Sequence, residues 1–535
     1  MKRPWVPFYP EEAKPAMDVP LISIYELIHN TCTEYPSSEA IIDGDRSFTY
    51  SRLKDAIDYF ASSLHLRGFK KGNRLAIMLP NSVEYIIAFL ATQRLGGIVV
   101  QVNPMYTAPE LSHILHDSEV KWMVSEERQR SKLEKTNLVN EIIFIQTDNT
   151  ENENNLYQWI AEQNIELPEV IIDPMEDIAL LQYTGGTTGR SKGVMLTHYN
   201  LISNVYHSTS LYAHLLDIPG ERLLGITPLF HISGIVSMNR SFLTASTYIC
   251  VRRFQIDQAL QLIRKFRPTF FPGLPTLYIA LLRHPDLKSD DFNSFKFCTS
   301  GTAPLPKEVV ERVKEKTGNN IIEVFGLSEG LITHQIPRDG IHKLGSIGIP
   351  IPKTDAKIVD VETGRNELPN GQTGELIIKG PSVMKGYWKN KEETAFALRD
   401  GWLFTGDLAT MDDDGYFFIV GRKKDMIIAS GYNIYPQEIE EVLYQHPSIM
   451  EACVFGIPDD YRGETVKAIV VTNENNITEA ELIQWCNKKL ARYKVPKIIE
   501  FRKELPKTTV GKILRRTLIE EEKKKAKTFV QKSMD

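Results

Sequence analysis

The sequence predicts an α/β protein: a large amino-terminal domain of α/β subdomains with a small β section, followed by a smaller α+β carboxy-terminal domain. Three observations predict it. Between 74 and 125, short apolar runs alternate with helical patterns, the signature of βαβ units. At 178–182 an apolar strand empties into a run of glycines and hydroxyls, as at the ligand-bearing end of a parallel sheet. At 535 residues the chain exceeds what one hydrophobic core organises.

Taken in order, residues 1–20 carry five prolines with acidic residues and lack the apolar core of a secretory signal. Strands follow at 74–79, 98–102 and 121–124, with helices at 83–95 and 110–117, the second opened by a capping box of Thr107 and Glu110. The polar stretch 148–155 reads as a surface loop. A second α/β region extends from the glycine-rich run to about Pro350, and short strands between Gly- and Pro-rich turns, such as 375–379, then make a mainly β section to Leu408. A boundary is expected near Gly421 to Asp425, dividing the chain into 1–421 and 422–535. Beyond it, helices at 436–445 and 478–490 alternate with strands at 451–455 and 467–471, enough for an independent small domain.

Composition narrows the function. The 63 Lys and Arg against 68 Asp and Glu leave a net charge of -5, which argues against nucleic acid as a partner. Five scattered cysteines show no zinc or disulfide spacing and fit a reducing, cytoplasmic compartment. No apolar run approaches the ~20 residues of a membrane span. The lysine-rich run 523–532 is expected to be solvated and is compatible with weak peripheral contact with an anionic membrane.

The most informative segment is Tyr183-Thr-Gly-Gly-Thr-Thr-Gly-Arg-Ser-Lys-Gly193. Gly185, Gly186 and Gly189 allow close backbone approach, so that successive amides converge on phosphate oxygens. Thr184, Thr187 and Thr188 add hydroxyl donors, and Arg190 and Lys192 add positive charge. The Walker spacing is absent, because Arg190 stands where its second glycine would. Four further motifs follow: Phe325-Gly-Leu-Ser-Glu-Gly330, Gly401-Trp-Leu-Phe-Thr-Gly-Asp407, Gly421-Arg-Lys-Lys-Asp425 and Pro506-Lys-Thr-Thr-Val-Gly-Lys512.

In this order and spacing the five motifs resemble those of the adenylate-forming superfamily of acyl-CoA synthetases, luciferases and carrier-loading adenylation domains. The resemblance covers about Ile22 to Leu518 and is strongest to bacterial long-chain fatty acid–CoA ligases. It implies two half-reactions, an acid with ATP giving acyl-adenylate and pyrophosphate, then coenzyme A displacing AMP. Two anions must be brought together, and at an effective dielectric near 20 each unit-charge contact at ~4 Å is worth ~4 kcal/mol, so cations have to offset the repulsion.

The resemblance implies roles for particular residues. Lys192 and the loop amides would hold the β- and γ-phosphates, and Glu329 with Thr188 would hold Mg²⁺. Lys512 would align the carboxylate and the α-phosphate. Asp407 would accept the ribose hydroxyls with Arg422 beside it. Gly301, Thr302, Ala303, Phe325, Gly326 and Ser328 would line the adenine site, Phe325 by stacking. His231, in Pro228-Leu-Phe-His231, would stand at the carboxylate end of the acyl pocket. Gly273, Pro275 and Thr276 are either acyl-tunnel or turn residues. Lys424 would be the hinge of a mobile small domain that withdraws Lys512 and brings Gly431 and Tyr432 to the coenzyme A channel. A homodimer is compatible with the resemblance.

Two positions depart from the family pattern, Ser191 for a proline and Phe325 for a tyrosine, and neither removes a required charge. The reading is an ATP- and Mg²⁺-dependent medium- to long-chain fatty acid–CoA ligase. Its rivals are an aryl- or short-chain acyl-CoA ligase, a carrier-loading enzyme and a catalytically silent sensor, the last expected to have lost Lys192, Glu329 or Lys512.

Overall fold

The computed structural model describes residues 2–13, 18–138, 140–148, 153–162, 167–184, 191–303, 305–430, 432–459, 461–473, 477–508 and 511–532. Among these residues the large amino-terminal domain is built on three sheets and the smaller carboxy-terminal domain on one.

The first sheet realises the expected βαβ alternation. Strands Arg74–Met78, Ile98–Gln101, Trp122–Ser125 and Ile143–Gln146 are parallel, with Ile178–Thr184 added beside Ile98–Gln101. These strands are almost wholly buried, which explains their unbroken apolar character. Helix Val83–Arg94 connects the first two, and helix Ala108–Ser118 begins with the Thr107–Glu110 capping box. One loop expectation needs correction: Asn155, placed in a solvated loop, is fully buried and caps helix Leu156–Ala161 by accepting from the amides of Tyr157 and Gln158. Its side chain satisfies helix-start donors, a local role that its polar neighbours conceal.

The second sheet has nine strands among the described residues. Its parallel centre joins Glu39–Asp43, Thr247–Cys250, Arg222–Gly225, Phe270–Gly273, Phe297–Ser300 and Ile321–Leu327. The third sheet is the expected β section, antiparallel through Asp355–Val359, Gly374–Lys379, Trp402–Met411 and Phe417–Arg422. In the small domain the long pair Ile449–Asp459 and Gly463–Thr472 packs helices Pro436–Tyr444 and Glu479–Asn487 around Ile434, Ile439, Leu443, Val454, Val470 and Leu482. The Thr478–Glu481 capping box opens the second of these helices.

The proline-rich amino terminus has a packing role the sequence concealed. Trp5 is 1% exposed and meets the Phe417 ring edge-on at 6.1 Å, while the Tyr9 hydroxyl donates to the Pro350 carbonyl at 2.7 Å. Gly415, at φ +81°, lies so close to Trp5 that a Cβ there would come within 2.9 Å of the Trp5 backbone. The segment thus straps the third sheet from outside. All five cysteines are buried thiols, and among the described residues no helix is long and apolar enough to cross a membrane. Truncating Trp5 to alanine removes a fully buried indole, so Trp5→Ala is expected to destabilise the large domain by about 3–5 kcal/mol. Urea denaturation followed by fluorescence checks it, and a change below about 1 kcal/mol would mean that the strap carries little of the packing.

Candidate active site

Strand Ile178–Thr184 leaves the parallel sheet and returns as Lys192–Thr197, an antiparallel partner that places Thr184 opposite Lys192. Lys192 is therefore a strand residue at the mouth of a hairpin, where the sequence suggested a loop position. The hairpin turn, with Gly185, Gly186, Thr187, Thr188, Gly189 and Arg190, lies outside the described residues. Its stem is anchored: the Tyr183 hydroxyl donates to Asp117 at 2.5 Å, and His113 Nε2 lies 2.9 Å from the Ser191 carbonyl. Lys192 Nζ pairs with Glu393 at 2.5 Å and stands 5.4 Å from the Tyr387 ring.

Tyr387 was not foreseen from sequence. It comes from the short strand Gly386–Tyr387, which adds to the outer edge of Lys192–Thr197, and its hydroxyl donates to Glu329 Oε1 at 2.9 Å. Burial and the neighbouring Glu329 carboxylate raise the Tyr387 pKa, so it stays a donor. The aromatic pair Tyr387-Trp388 is the only sequence signal that this segment is more than a turn. Glu329 itself occupies the tight turn between Ile321–Leu327 and Leu331–Gln335, with Ser328 beside it. The turn needs Gly326, where a Cβ would lie 2.2 Å from the Leu331 carbonyl oxygen. Phe325 meets the His334 ring at 5.9 Å from the preceding position.

The neighbouring strand Phe297–Ser300 leads into Gly301, Thr302 and Ala303. A Cβ on Gly301 would lie 2.8 Å from the Val324 oxygen, so this run presses against the Phe325 strand. Thr302 has φ +69°, a conformation that costs a β-branched residue energy and marks a constrained site. Its Oγ1 and the Ser300 Oγ are buried without hydrogen-bond partners.

Asp407 and Arg422 sit directly opposite each other on strands Trp402–Met411 and Phe417–Arg422, and Arg422 Nε donates to Asp407 Oδ1 at 2.7 Å. Asp407 is 4% exposed, and burial raises its pKa although Arg422 and Lys512 oppose the shift. Its second oxygen, Oδ2, has no partner. Lys512 reaches the same neighbourhood from the small domain. It is exposed, and desolvation by its surroundings together with the charge of Arg422 lowers its pKa. His231 caps helix Ile232–Leu243, with Nδ1 2.9 Å from Ser233 Oγ, and burial with the nearby Lys512 charge takes its pKa down to about 4. Thr276 packs on the Lys512 loop: a Cβ on Gly511 would lie 2.4 Å from Thr276 Oγ1. Thr276 itself stands in the first turn of helix Pro275–Arg283.

At the domain junction Lys424 lies in the turn Lys423–Asp425, its pKa lowered by burial. Arg515 bridges Asp425 at 2.8 Å and Glu440 at 2.6 Å, while Lys423 pairs with Glu375 at 2.9 Å. Tyr432 stays apart from the cluster, 55% exposed and stacked on Tyr493 at 4.5 Å, and Gly431 lies outside the described residues.

The donor set fits a nucleotide. Asp407 Oδ2 is a buried acceptor in need of hydroxyl donors, and Ser300 and Thr302 offer unpartnered hydroxyls. Among the described residues no group of three or more His, Cys, Asp or Glu could hold a metal, and an Mg²⁺ held by Glu329 would take further ligands from substrate phosphates.

Comparison with known proteins agrees with this geometry. The model of the AMP-binding enzyme matches residues 28–388, and that of the AMP-binding enzyme C-terminal domain matches 438–512. The chain is 42% identical to a long-chain-fatty-acid–CoA ligase of Bacillus subtilis (strain 168), covering 97% of this chain and 98% of the relative. It is similar in structure to ATP-bound MatB from Rhodopseudomonas palustris, at 32% identity and TM-score 0.86 over 94% of this chain and 99% of that one. The apo form of MatB, at the same identity and coverage, gives 0.77. By motif order, architecture and family match, the chain belongs to the AMP-binding enzyme family.

Proposed function

We propose that this protein is an ATP- and Mg²⁺-dependent fatty acid–CoA ligase for medium- to long-chain acids, forming an acyl-adenylate and then acyl-CoA with release of pyrophosphate and AMP. The supporting observation is the meeting of Lys512 with Asp407, Arg422 and His231, one cation from the small domain among the groups of the large one. Identity to the long-chain ligase of Bacillus subtilis over nearly the whole chain supports the substrate class.

ATP supplies the adenylyl group, and Mg²⁺, which Glu329 and Thr188 would hold, would offset the charge of the departing pyrophosphate. Asp407 accepts the ribose hydroxyls through its unpartnered Oδ2, held in place by Arg422. Lys192 exchanges Glu393 for phosphate oxygens. Tyr387 holds the Glu329 carboxylate, which would ligate Mg²⁺. Lys512 bridges the acid and the α-phosphate, lowering the repulsion between them. His231, neutral at pH 7, lines the carboxylate end without adding charge. No general base is needed, because the acid is already ionised. The turn around Lys424 then pivots the small domain, withdrawing Lys512 and bringing Gly431 and Tyr432 to the thiol channel. The cytoplasm is its proposed compartment.

The reading is tested by pyrophosphate release across acids from acetate through benzoate to palmitate, with and without coenzyme A. Release should peak with medium to long chains, with acyl-CoA appearing on addition of the thiol. A peak at benzoate or acetate would move the protein to the aryl- or short-chain ligases, and no release would make it a silent sensor. Replacing the bridging cation separates the two steps: Lys512→Ala should slow adenylation by about 100- to 1000-fold while largely sparing thioester formation from supplied acyl-adenylate. Equal loss of both half-reactions would contradict the division of labour.

A further inference from the structure

Residues 226–230 connect strand Arg222–Gly225 of the second sheet to His231, and side chains of the first sheet hold their backbone. Asn81 lies in the link between strand Arg74–Met78 and helix Val83–Arg94, beside the Ser82 cap, and is 3% exposed. In such a link an asparagine ordinarily serves its own turn. Here the side chain serves another subdomain. Its Nδ2 donates to the Gly225 and Thr227 carbonyls, both at 2.9 Å, and its Oδ1 accepts from the Leu229 amide at 2.7 Å. Both donor hydrogens and the acceptor are thus engaged by one short span. Gln101, buried at the end of strand Ile98–Gln101, donates to the Leu229 carbonyl and, at 3.0 Å, to the Tyr85 hydroxyl. Leu229 therefore has its amide and its carbonyl fixed by two side chains of the first sheet.

The clamp reaches His231 through one turn. The His231 amide donates to the Pro228 carbonyl at 3.0 Å, and Gly234, where a Cβ would lie 2.2 Å from the Pro228 oxygen, lets the start of helix Ile232–Leu243 press on the same turn. Gln101 is also in register with Gln182, on the strand that continues through Tyr183 to the hairpin carrying Lys192. The first sheet that bears the phosphate hairpin is thereby tied to the segment that bears His231.

We propose that Asn81 is a positioning residue for acyl-adenylate formation: it fixes the His231 segment relative to the phosphate hairpin, so that the fatty carboxylate meets the α-phosphate in line. The proposal rests on the ligase reading above and deepens it. Asn81 acts through the backbone of 227–229. A misplacement of about 1 Å costs on the order of 100-fold in rate, while the acyl chain and the Asp407–Arg422 pair still bind their parts of the substrates. The loss should therefore fall on kcat.

The test measures pyrophosphate release with the acid that the wild type uses best between acetate and palmitate. Asn81→Ala should lower kcat at least about tenfold, with KM for acid and for ATP changed less than about threefold and the stoichiometry of ATP binding by calorimetry unchanged. Asn81→Asp, which keeps the acceptor for Leu229 and loses both donors, should do the same, and it serves if the alanine variant fails to fold. Made in a His231→Ala background, either substitution should cost less than about threefold, because the group it positions is gone. Equal cost in both backgrounds, or a loss matched by lost ATP-binding stoichiometry, would reduce Asn81 to a structural residue and overturn the proposal. Unchanged kcat in both variants would overturn it too and leave the ligase reading intact. No release by the wild type with any acid would sink the ligase reading and the proposal with it.

Discussion

The site depends on one ion pair set across two adjacent strands. Asp407 and Arg422 face each other in register, so the pleat of the antiparallel sheet fixes the carboxylate with one oxygen bound and the other unpartnered. An isolated carboxylate at this depth would take up a proton, and burial does push its pKa upward. Arg422 opposes that shift and keeps an acceptor available without using all of it. The same strand ends at Arg422, where the chain turns toward the small domain, so the pair also marks the place from which Lys512 is delivered.

Delivery by a separate domain follows from the charge problem. Lys512 beside Arg422 and Lys424 is a concentration of positive charge, and its lowered pKa records the cost of holding it there. Anionic reactants relieve that cost, whereas a permanently fixed lysine would also hold the AMP that the second step must release. Docking is correspondingly light where it concerns Lys512, a loop glycine resting on Thr276. Near the proposed pivot Lys423 reaches across to Glu375, while Arg515 ties Asp425 to Glu440 within the small domain. A pivot segment braced within the small domain and a light contact at the tip suit a domain that turns.

Much of the scaffold was legible because local chemistry states it: the capping boxes at Thr107 and Thr478, the buried parallel strands, and the short β strands after Pro350. The charged members of the site were legible as motifs. What escaped depends on partners far away in sequence. Trp5 reads as part of a proline-rich tail until Phe417 and Gly415 are beside it. Tyr387 gains its meaning only where a two-residue strand meets the Lys192 edge, and Asn155 reads as loop because its burial comes from packing around it.

The central claim is that one cleft serves two reactions by moving Lys512 in and out. Thr276→Cys combined with Gly511→Cys would place two thiols where the domains touch, so oxidation should lock Lys512 in the cleft. In the locked protein, pyrophosphate release from ATP and fatty acid should persist for the first turnover, acyl-CoA formation should stop, and reduction should restore it. Acyl-CoA forming at an undiminished rate while the disulfide is closed would contradict the account.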